Sequence, residues 1–197
     1  MTSTDPELIS LVIHGREERN LEYKGPVQWD SYKSRLTKCI LALANIRDGG
    51  AIAIGVAENS PGAFSPVGLS AVERDGFTQD GVASFVNEYA DPYVELTVRH
   101  VAHDRMDFVV IQIAEFEHLP VICRRDHSDV MRRGAMYTRP RRMNECVEVP
   151  GQAEMREIID MASEKGMRYL SGQASRAGYT PLTAGDSDRL DEELNGL

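Results

Sequence analysis

The sequence predicts an α/β (α+β) fold, in which a mixed, partly antiparallel sheet is flanked by helices. Residues 51–57 contain no polar side chain, which is typical of a strand covered on both faces. Two further predicted strands, residues 93–101 and 108–113, are joined by a short polar connection and predict an antiparallel hairpin. Apolar residues at helical spacing after Asp30 add helices between the strands, which favours a mixed sheet over a purely parallel one.

Local signals set the order of the elements. Asp5 and Pro6 predict the start of a first helix over residues 6–14, because Asp is a favoured N-cap and Pro suits the first helical position. Gly49-Gly50 supplies the permissive backbone of a tight connection after the second helix. The other predicted elements are a strand over 20–24, a helix from 30 or 31 to 46, a brief strand over 67–69, a helix over 78–89, short strands at 121–122 and 136–138, and a final helix over 151–170.

Length and composition predict a single folded domain. The chain has 197 residues, of which 42% are hydrophobic and 27% charged, so it is long enough to bury its own core. We expect that domain to cover residues 1–170. Glycine, alanine, serine and acidic residues dominate residues 171–197, which predicts a flexible acidic C-terminal tail.

The expected compartment follows from what the sequence lacks. No apolar run approaches the roughly 20 residues that span a bilayer, and the first residues have neither the basic nor the apolar region of a signal peptide. A cytoplasmic protein without a membrane partner is therefore expected. Cys39, Cys123 and Cys146 share no short spacing and are expected to be reduced thiols, and the five histidines form no zinc-binding pattern.

Charge is distributed unevenly along the chain. A net charge of −9 argues against a protein that coats nucleic acid by charge alone. Residues 124–142, however, carry seven arginines against two aspartates, a local charge of +5 that leaves −14 for the remaining residues. This segment predicts a nucleic-acid-binding patch with phosphate-binding guanidinium groups and one stacking ring, formed by Arg132, Arg133, Tyr137, Arg139, Arg141 and Arg142. The alternative is a charged hairpin whose arginines pair with acids elsewhere in the chain or in a partner subunit.

A second group of charged residues predicts chemistry at the sheet edge. Glu22 and Lys24, two positions apart on a strand, point to the same face. Glu17 or Glu18 precedes them, and Glu58 follows the apolar strand. Carboxylates that converge in this way bind Mg²⁺ or Mn²⁺, and a nearby lysine stabilises charge that develops on a phosphate. The alternative is a solvated helix end with a salt bridge on the strand, and a polar strand terminus at Glu58.

Two other polar positions have simpler interpretations. Asn45 is expected to cap a helix end or to bind the backbone of its own loop, with a ligand role as the alternative. Gly49-Gly50 lacks the pattern of a Walker loop, so no nucleoside triphosphate site is expected.

A series of short motifs resembles the Schlafen AlbA_2 family, also called the divergent AAA_4 domain. The family pattern is an acid, then Leu-Glu-Phe-Lys, an Ala-rich helix end with Asn, Gly-Gly, an Ile-Gly-Val strand, Gly-Leu, Pro-Val and Tyr-x-Arg. The counterparts here, spread over residues 17–147, are Leu21-Glu22-Tyr23-Lys24, Ala42-Leu-Ala-Asn45, Gly49-Gly50, Ile54-Gly55-Val56, Gly68-Leu69, Pro120-Val121 and Tyr137-Thr138-Arg139.

The resemblance implies a compact α/β domain that meets nucleic acid. In some Schlafens it also implies an endoribonuclease site, in which two glutamates and an aspartate surround a divalent metal. Those acids correspond to Glu17 (or Glu18), Glu22 and Glu58, so this chain has a glutamate where the family has the aspartate. A second departure follows Arg139, where Pro140-Arg141-Arg142 replaces the glycine-serine turn of the family.

Three function classes follow from these observations. The first is a nucleic-acid-binding domain, for DNA or RNA, with a regulatory or defence role. The second is a Mg²⁺- or Mn²⁺-dependent endoribonuclease, with Glu17, Glu22 and Glu58 as metal ligands and Lys24 as an electrostatic aid. The third is a protein-interaction or oligomerisation module, in which the arginines meet acidic patches of identical chains.

Overall fold

A computed structural model describes residues 5–178 of the chain. The protein has the α/β architecture that the sequence predicts. Its helices are α1 (Pro6–Ile13), α2 (Trp29–Ala44), α3 (Ala71–Asp75), α4 (Gln79–Tyr89) and α5 (Gln152–Arg176). Its strands are β1 (Leu21–Lys24), β2 (Gly50–Ile54), β3 (Val56–Ser60), β4 (Ala63–Pro66), β5 (Ala90–Asp91), β6 (Leu96–His103), β7 (Met106–Ile113), β8 (Ile122–Cys123), β9 (Tyr137–Thr138) and β10 (Val147–Glu148).

The main sheet has four strands in the order β1-β2-β7-β6. β1 is parallel to β2, whereas β2–β7 and β7–β6 are antiparallel, so the prediction of a mixed sheet is confirmed. Alternate residues of β2 enter two cores, with Ile52 and Ile54 in the core beneath α2 and α4, and Ala51 and Ala53 in the core beneath α1. The small side chains on the α1 face suit the close approach of a short helix.

The predicted strand over residues 51–57 is wrong in its second half, because Gly55 ends β2. Gly55 has φ +101°, and a Cβ atom there would lie 2.9 Å from the side chain of Phe108. Its carbonyl oxygen accepts hydrogen bonds from the amides of Val67 and Gly68 instead of continuing a sheet ladder. The chain therefore leaves the main sheet and forms a separate hairpin of β3 and β4, which carries Glu58.

Asn45 at the end of α2 holds distant backbone segments together. Its Nδ2 donates to the carbonyl oxygens of Val121 (2.7 Å) and Tyr137 (2.9 Å), and its Oδ1 accepts from the Val121 amide (2.7 Å). Asn45 is buried, so these bonds satisfy groups that water does not reach. Asn45 is the residue that ends α2, but its side chain binds the backbone of distant segments and not that of its own loop, which fixes β9 against α2.

The final helix, α5, packs weakly against the domain. Only Ile158 and Met161 of this helix are buried, and the apolar residues Met155 and Ile159 are exposed. α5 continues to Arg176, past the helix end expected at residue 170, and residues 179–197 of the expected tail lie outside the described residues. Neither α5 nor any other helix between residues 5 and 178 is long and apolar enough to cross a membrane.

Candidate functional site

A buried ion-pair cluster joins β1 to the segment after β9. Arg139 donates from Nη1 to Oε2 of Glu22 and from Nη2 to Oε2 of Glu17, the latter at 3.2 Å. Lys24 donates to Oε1 of Glu22, and the Tyr23 amide donates to Oε1 of Glu17 at 2.9 Å. Two carboxylates and two cations therefore form a cluster without net charge, hereafter the Arg139 cluster (Glu17, Glu22, Lys24 and Arg139).

Burial controls the electrostatics of the cluster. It raises the pKa of Glu17 above its usual value, although the hydrogen bond from the Tyr23 amide opposes the rise. Burial also disfavours the charged form of Lys24, but the charge of Glu22 and the hydrogen bond to it outweigh burial and raise the pKa of Lys24. Lys24 thus stays a cation at neutral pH, whereas burial disfavours the charged form of Glu17.

The structure distinguishes Glu17 from Glu18, which the sequence left open. Glu17 joins the Arg139 cluster, whereas Glu18 is part of an exposed group with His14 (2.9 Å) and Arg16 (3.3 Å). Glu58 is exposed on β3, and its Oε1 accepts from the Gly62 amide at 2.9 Å. The expectation that Glu58 follows directly at the end of the central strand is therefore wrong, because Gly55 ends β2 and Glu58 lies on the separate β3–β4 hairpin.

All four predicted catalytic residues nevertheless line one groove of about 870 Å³, hereafter the carboxylate groove. Helix α2 forms one wall of this groove, and the loop between β9 and β10 closes one end. Its charged and sulfur-containing lining residues are Glu17, Glu22, Lys24, Arg35, Lys38, Cys39, Glu58, Asp129, Glu145 and Cys146.

The carboxylates do not fit a divalent metal in this arrangement. Both oxygens of Glu22 accept from cations, and both oxygens of Glu17 also have donors. A metal ion would have to displace Arg139, which has no solvent exposure. Within the described part of the chain, no three His, Cys, Asp or Glu side chains are grouped closely enough to hold a metal ion.

Two of the residues predicted to contact nucleic acid, Arg139 and Tyr137, are buried, so the prediction is corrected for both. Arg139 is fully buried because the buried carboxylates need a counter-charge, so its guanidinium group does not reach a polyanion. Tyr137 is 3% exposed, its hydroxyl oxygen accepts from the Arg132 amide (2.7 Å), and Lys38 Nζ lies 5.4 Å from its ring centroid. Its ring therefore has no open face for a nucleobase.

The other predicted arginines lie at the surface and differ in their partners. Arg132 pairs with Glu148, and Arg141 pairs with Glu157 at 3.0 Å, as the alternative of internally paired arginines predicts. Arg133 and Arg142 are exposed and form no ion pair with any residue between 5 and 178. The seven arginines of residues 124–142 are thus divided among a buried ion pair, surface ion pairs and free cations.

A second groove, of about 670 Å³, collects arginines from three parts of the chain at the N-terminus of α5. We call it the arginine groove. The first turn of α5 has no side-chain cap, so its amides remain available as donors. The charged residues that line the groove are Arg47, Arg141, Arg142, Arg156, Glu154, Glu157 and Asp160.

Glu157 organises one side of the arginine groove. It accepts two hydrogen bonds from Arg19, at 2.7 and 2.9 Å, and one from Arg141 at 3.0 Å. The hydrogen bond from Arg19 holds the pKa of Glu157 below its usual value; burial opposes this, and the hydrogen bond from Arg141 adds to the lowering. Arg142 and Arg156 have no such ion pair among the described residues, so they are the free cations of this groove.

Sequence reasoning missed Arg19, Arg47 and Arg156. They are isolated in the sequence, and no local pattern distinguishes them from ordinary solvated arginines. Only the tertiary contacts of α5 bring them beside Arg141 and Arg142.

The chain is similar to one protein family and to several solved structures. The Schlafen, AlbA_2 family model matches residues 17–147. Among solved structures, the N-terminal domain of a RecG-related protein from Nitrosomonas europaea is 20% identical, with a TM-score of 0.48, covering 67% of this chain and 89% of that one. The DIP2311 protein from Corynebacterium diphtheriae is 14% identical with a TM-score of 0.46, and the match covers 73% of this chain but only 25% of that one.

No curated protein matches the chain significantly. The family match spans the interval from Glu17 of the Arg139 cluster to the first residue of β10, and so contains both the main sheet and the carboxylate groove. It includes Arg141 and Arg142 of the arginine groove but ends before α5. The chain belongs to the Schlafen AlbA_2 family.

Proposed function

We propose that the protein binds nucleic acid through the arginine groove. The observation that carries this proposal is the convergence of Arg47, Arg141, Arg142 and Arg156 at the uncapped N-terminus of α5. Guanidinium groups form paired hydrogen bonds with phosphate oxygens, and the first amides of a helix favour anions. Membership of the Schlafen AlbA_2 family, whose resemblance implies a domain that meets nucleic acid, supports the same class of ligand.

The charge of the groove limits the strength of this binding. Four arginines face three acids in its lining, and the whole chain carries −9. Contacts with a few phosphates, mainly through Arg142 and Arg156, give moderate affinity that weakens steeply with salt. The groove offers no buried base-reading pocket, so backbone contacts dominate over sequence recognition.

The test compares two double variants with equal changes in charge. Arg142→Gln with Arg156→Gln removes the free cations of the groove and leaves the pairs of Glu157 intact. Arg99→Gln with Arg105→Gln, on the β6–β7 hairpin at the opposite edge of the sheet from β1, is the control. Labelled single-stranded DNA, double-stranded DNA and tRNA are titrated at about 50 mM salt, where screening is weak.

The groove variant is expected to bind at least about tenfold more weakly and to reduce the salt slope by about two, because two phosphate contacts are lost. The control variant is expected to bind like the wild type. Equal losses in both variants would show that binding depends on net charge alone. If the wild type binds none of the three polymers, the proposal is wrong and the protein-interaction or oligomerisation module is the remaining class.

A second candidate function is phosphodiester cleavage in the carboxylate groove. It is favoured by the raised pKa of Glu17 beside the cation Lys24, since a carboxyl group and a lysine in one groove suit proton transfer. The metal-dependent form expected from the sequence would require Glu17 and Glu22 to release Arg139, and the burial of that guanidinium group opposes this release.

Cleavage is tested with the same labelled tRNA, with and without Mn²⁺. Glu22→Gln removes a charge from the Arg139 cluster, and Glu58→Gln changes the exposed acid of the same groove. Cleavage that is lost in Glu22→Gln and retained by the arginine-groove variant would favour the enzyme. If tRNA stays intact with and without Mn²⁺, the cleavage proposal is wrong. The binding proposal is unaffected by this result, because the binding titrations test it separately.

A further inference from the structure

Two cysteines from distant parts of the chain meet in the carboxylate groove. Cys39 lies on α2, and Cys146 directly precedes β10. Both are half-buried, both line the groove and both pack against the same hydrophobic core, and the nearby Cys146 thiol raises the pKa of Cys39. Both thiols are free.

We propose that Cys39 and Cys146 form an oxidisable pair that closes to a disulfide and ties the loop between β9 and β10 to helix α2. The inference does not depend on the proposed nucleic-acid binding. It assigns a modification site on this chain, and the co-reactant that it requires is a hydroperoxide.

The surroundings favour one order of events. Hydrogen bonding with Cys146, burial and the charge of Glu22 raise the pKa of Cys39, so Cys39 stays a thiol near neutral pH. Cys146 follows the exposed residues 141–145 of the loop between β9 and β10, so we assign it as the partner that meets the peroxide first. The Lys24 ammonium acts in the opposite sense to Glu22 and stabilises a transient Cys39 thiolate.

The step balances with one hydroperoxide molecule. The Cys146 sulfur attacks the O–O bond, takes one oxygen as a sulfenic acid, and releases an alcohol, or water from hydrogen peroxide. The Cys39 sulfur then attacks the Cys146 sulfur, the S–S bond forms, and the hydroxyl group leaves with a proton as water. The two thiols are oxidised by two electrons and the peroxide is reduced by two.

The loop that the disulfide would restrain is exposed and weakly anchored. Residues 141–145 are exposed, and the Met143 amide makes one long hydrogen bond, 3.3 Å, to Pro140 within the loop itself. The loop carries Arg141 and Arg142, which are natural cleavage points for trypsin. A covalent tie at Cys146 limits how far this loop can open, so the oxidised protein resists trypsin there.

Cys123 provides the matched control. It is fully buried, and its thiol donates to the carbonyl oxygen of Arg125 at 3.0 Å, away from the carboxylate groove. It therefore has no partner thiol and no open access. Cys123→Ser is expected to leave the oxidation of the pair unchanged.

The experiment treats the full-length protein with stoichiometric hydrogen peroxide, blocks the remaining thiols by alkylation, and maps peptides without reduction. The expected result is a peptide pair linked through Cys39 and Cys146 within one chain, with the loss of two hydrogen atoms. Trypsin cleavage after Arg141 and Arg142 is expected to slow by about tenfold in the oxidised protein, and dithiothreitol is expected to reverse this.

A cysteine variant and the oxidation products of the wild-type protein test the proposed disulfide. In Cys39→Ser, Cys146 is expected to accumulate as sulfenic and sulfinic acid, because the resolving thiol is gone. The proposal is overturned if the wild-type protein gives the same overoxidised Cys146 with Cys39 still alkylated, if the link joins different chains, or if oxidation leaves trypsin cleavage of the loop unchanged. Peptide mapping of the wild type decides the matter even where a serine variant fails to fold.

Discussion

Arg139 and Arg142 lie three residues apart, yet they occupy opposite electrostatic environments. Arg139 is fully buried and neutralises Glu17 and Glu22, whereas Arg142 is exposed in the arginine groove without an ion pair among the described residues. A count of charges along the sequence treats the two alike. Their difference shows that a cationic segment is a candidate binding surface only where the fold leaves its side chains unpaired.

The acids of the two regions differ in the same way. Burial raises the pKa of Glu17 in the Arg139 cluster, whereas hydrogen bonds from Arg19 and Arg141 lower the pKa of Glu157 in the arginine groove. In the first region the loss of water dominates, and in the second the guanidinium groups dominate. In the Arg139 cluster, buried charges must therefore be balanced within the protein, whereas at the arginine groove the guanidinium groups of Arg19 and Arg141 stabilise the Glu157 carboxylate.

The largest expected effect comes from removing the buried cation. Arg139→Met leaves Glu17 and Glu22 buried with only Lys24 as counter-charge, so we expect a loss of about 3–5 kcal/mol in the free energy of unfolding. Urea denaturation measures it. Arg142→Met is the matched control and is expected to change stability by less than about 0.5 kcal/mol. If the two substitutions lower stability equally, Arg139 is not a buried counter-ion of greater importance than the exposed Arg142.

The next largest effect is expected at Asn45, which binds β9 and thereby positions Arg139, the residue after this strand. Asn45→Ala removes three buried hydrogen bonds and leaves the backbone groups of Val121 and Tyr137 unsatisfied, which is expected to destabilise the fold by about 3 kcal/mol. Thermal or urea unfolding checks the value. Asn59→Ala, on the exposed β3–β4 hairpin, is the control and is expected to be nearly neutral. A small effect of Asn45→Ala would mean that β9 is held by packing alone.

A smaller effect is expected at the arginine groove. Glu157→Ala removes the paired hydrogen bonds with Arg19 and the bond with Arg141, all partly exposed, and is expected to lower stability by about 1 kcal/mol. The same variant frees Arg141 and removes an acid from the groove, so its affinity for nucleic acid is expected to rise. Binding that weakens instead would indicate that Glu157 is needed to hold the arginines in place.

The smallest effect is a difference in pH dependence. The raised pKa of Glu17 means that its contribution to stability is present below its ordinary value of 4.5 and is lost as the pH rises through the folded-state pKa. The lowered pKa of Glu157 means that its contribution is present above 4.5 and is lost as the pH falls through the folded-state pKa. Acidification thus destabilises through Glu157 and stabilises through Glu17.

Two variants separate these contributions. Glu157→Gln is expected to make stability less sensitive to acid, and Glu17→Gln is expected to make it more sensitive, when urea unfolding is measured at steps between about pH 3 and pH 6. The wild type lies between them. If both variants change the acid sensitivity of stability in the same direction, the opposite pKa shifts of Glu17 and Glu157 are contradicted.

The elements with strong local patterns were predicted well. The β6–β7 hairpin and α2 lie close to their predicted positions, because alternation and helical spacing report directly on which side chains are buried. The break at Gly55 was missed, since it depends on the side chain of Phe108 and on hydrogen bonds from Val67 and Gly68. Those contacts come from β7 and from the segment after β4, which the local pattern of residues 51–57 does not describe.

By itself the sequence determined the mixed sheet, the order of its main elements and the family, because these follow from hydrophobic periodicity and from motifs confined to short stretches of chain. It also placed Glu17, Glu22, Lys24 and Glu58 near one groove. Only the tertiary structure decided that Arg139 is a buried counter-ion, that Arg47 and Arg156 join Arg142, and that Cys39 meets Cys146. The physical reason is that burial and pairing of a charged or sulfur-containing side chain depend on partners distant in sequence, which packing alone brings together.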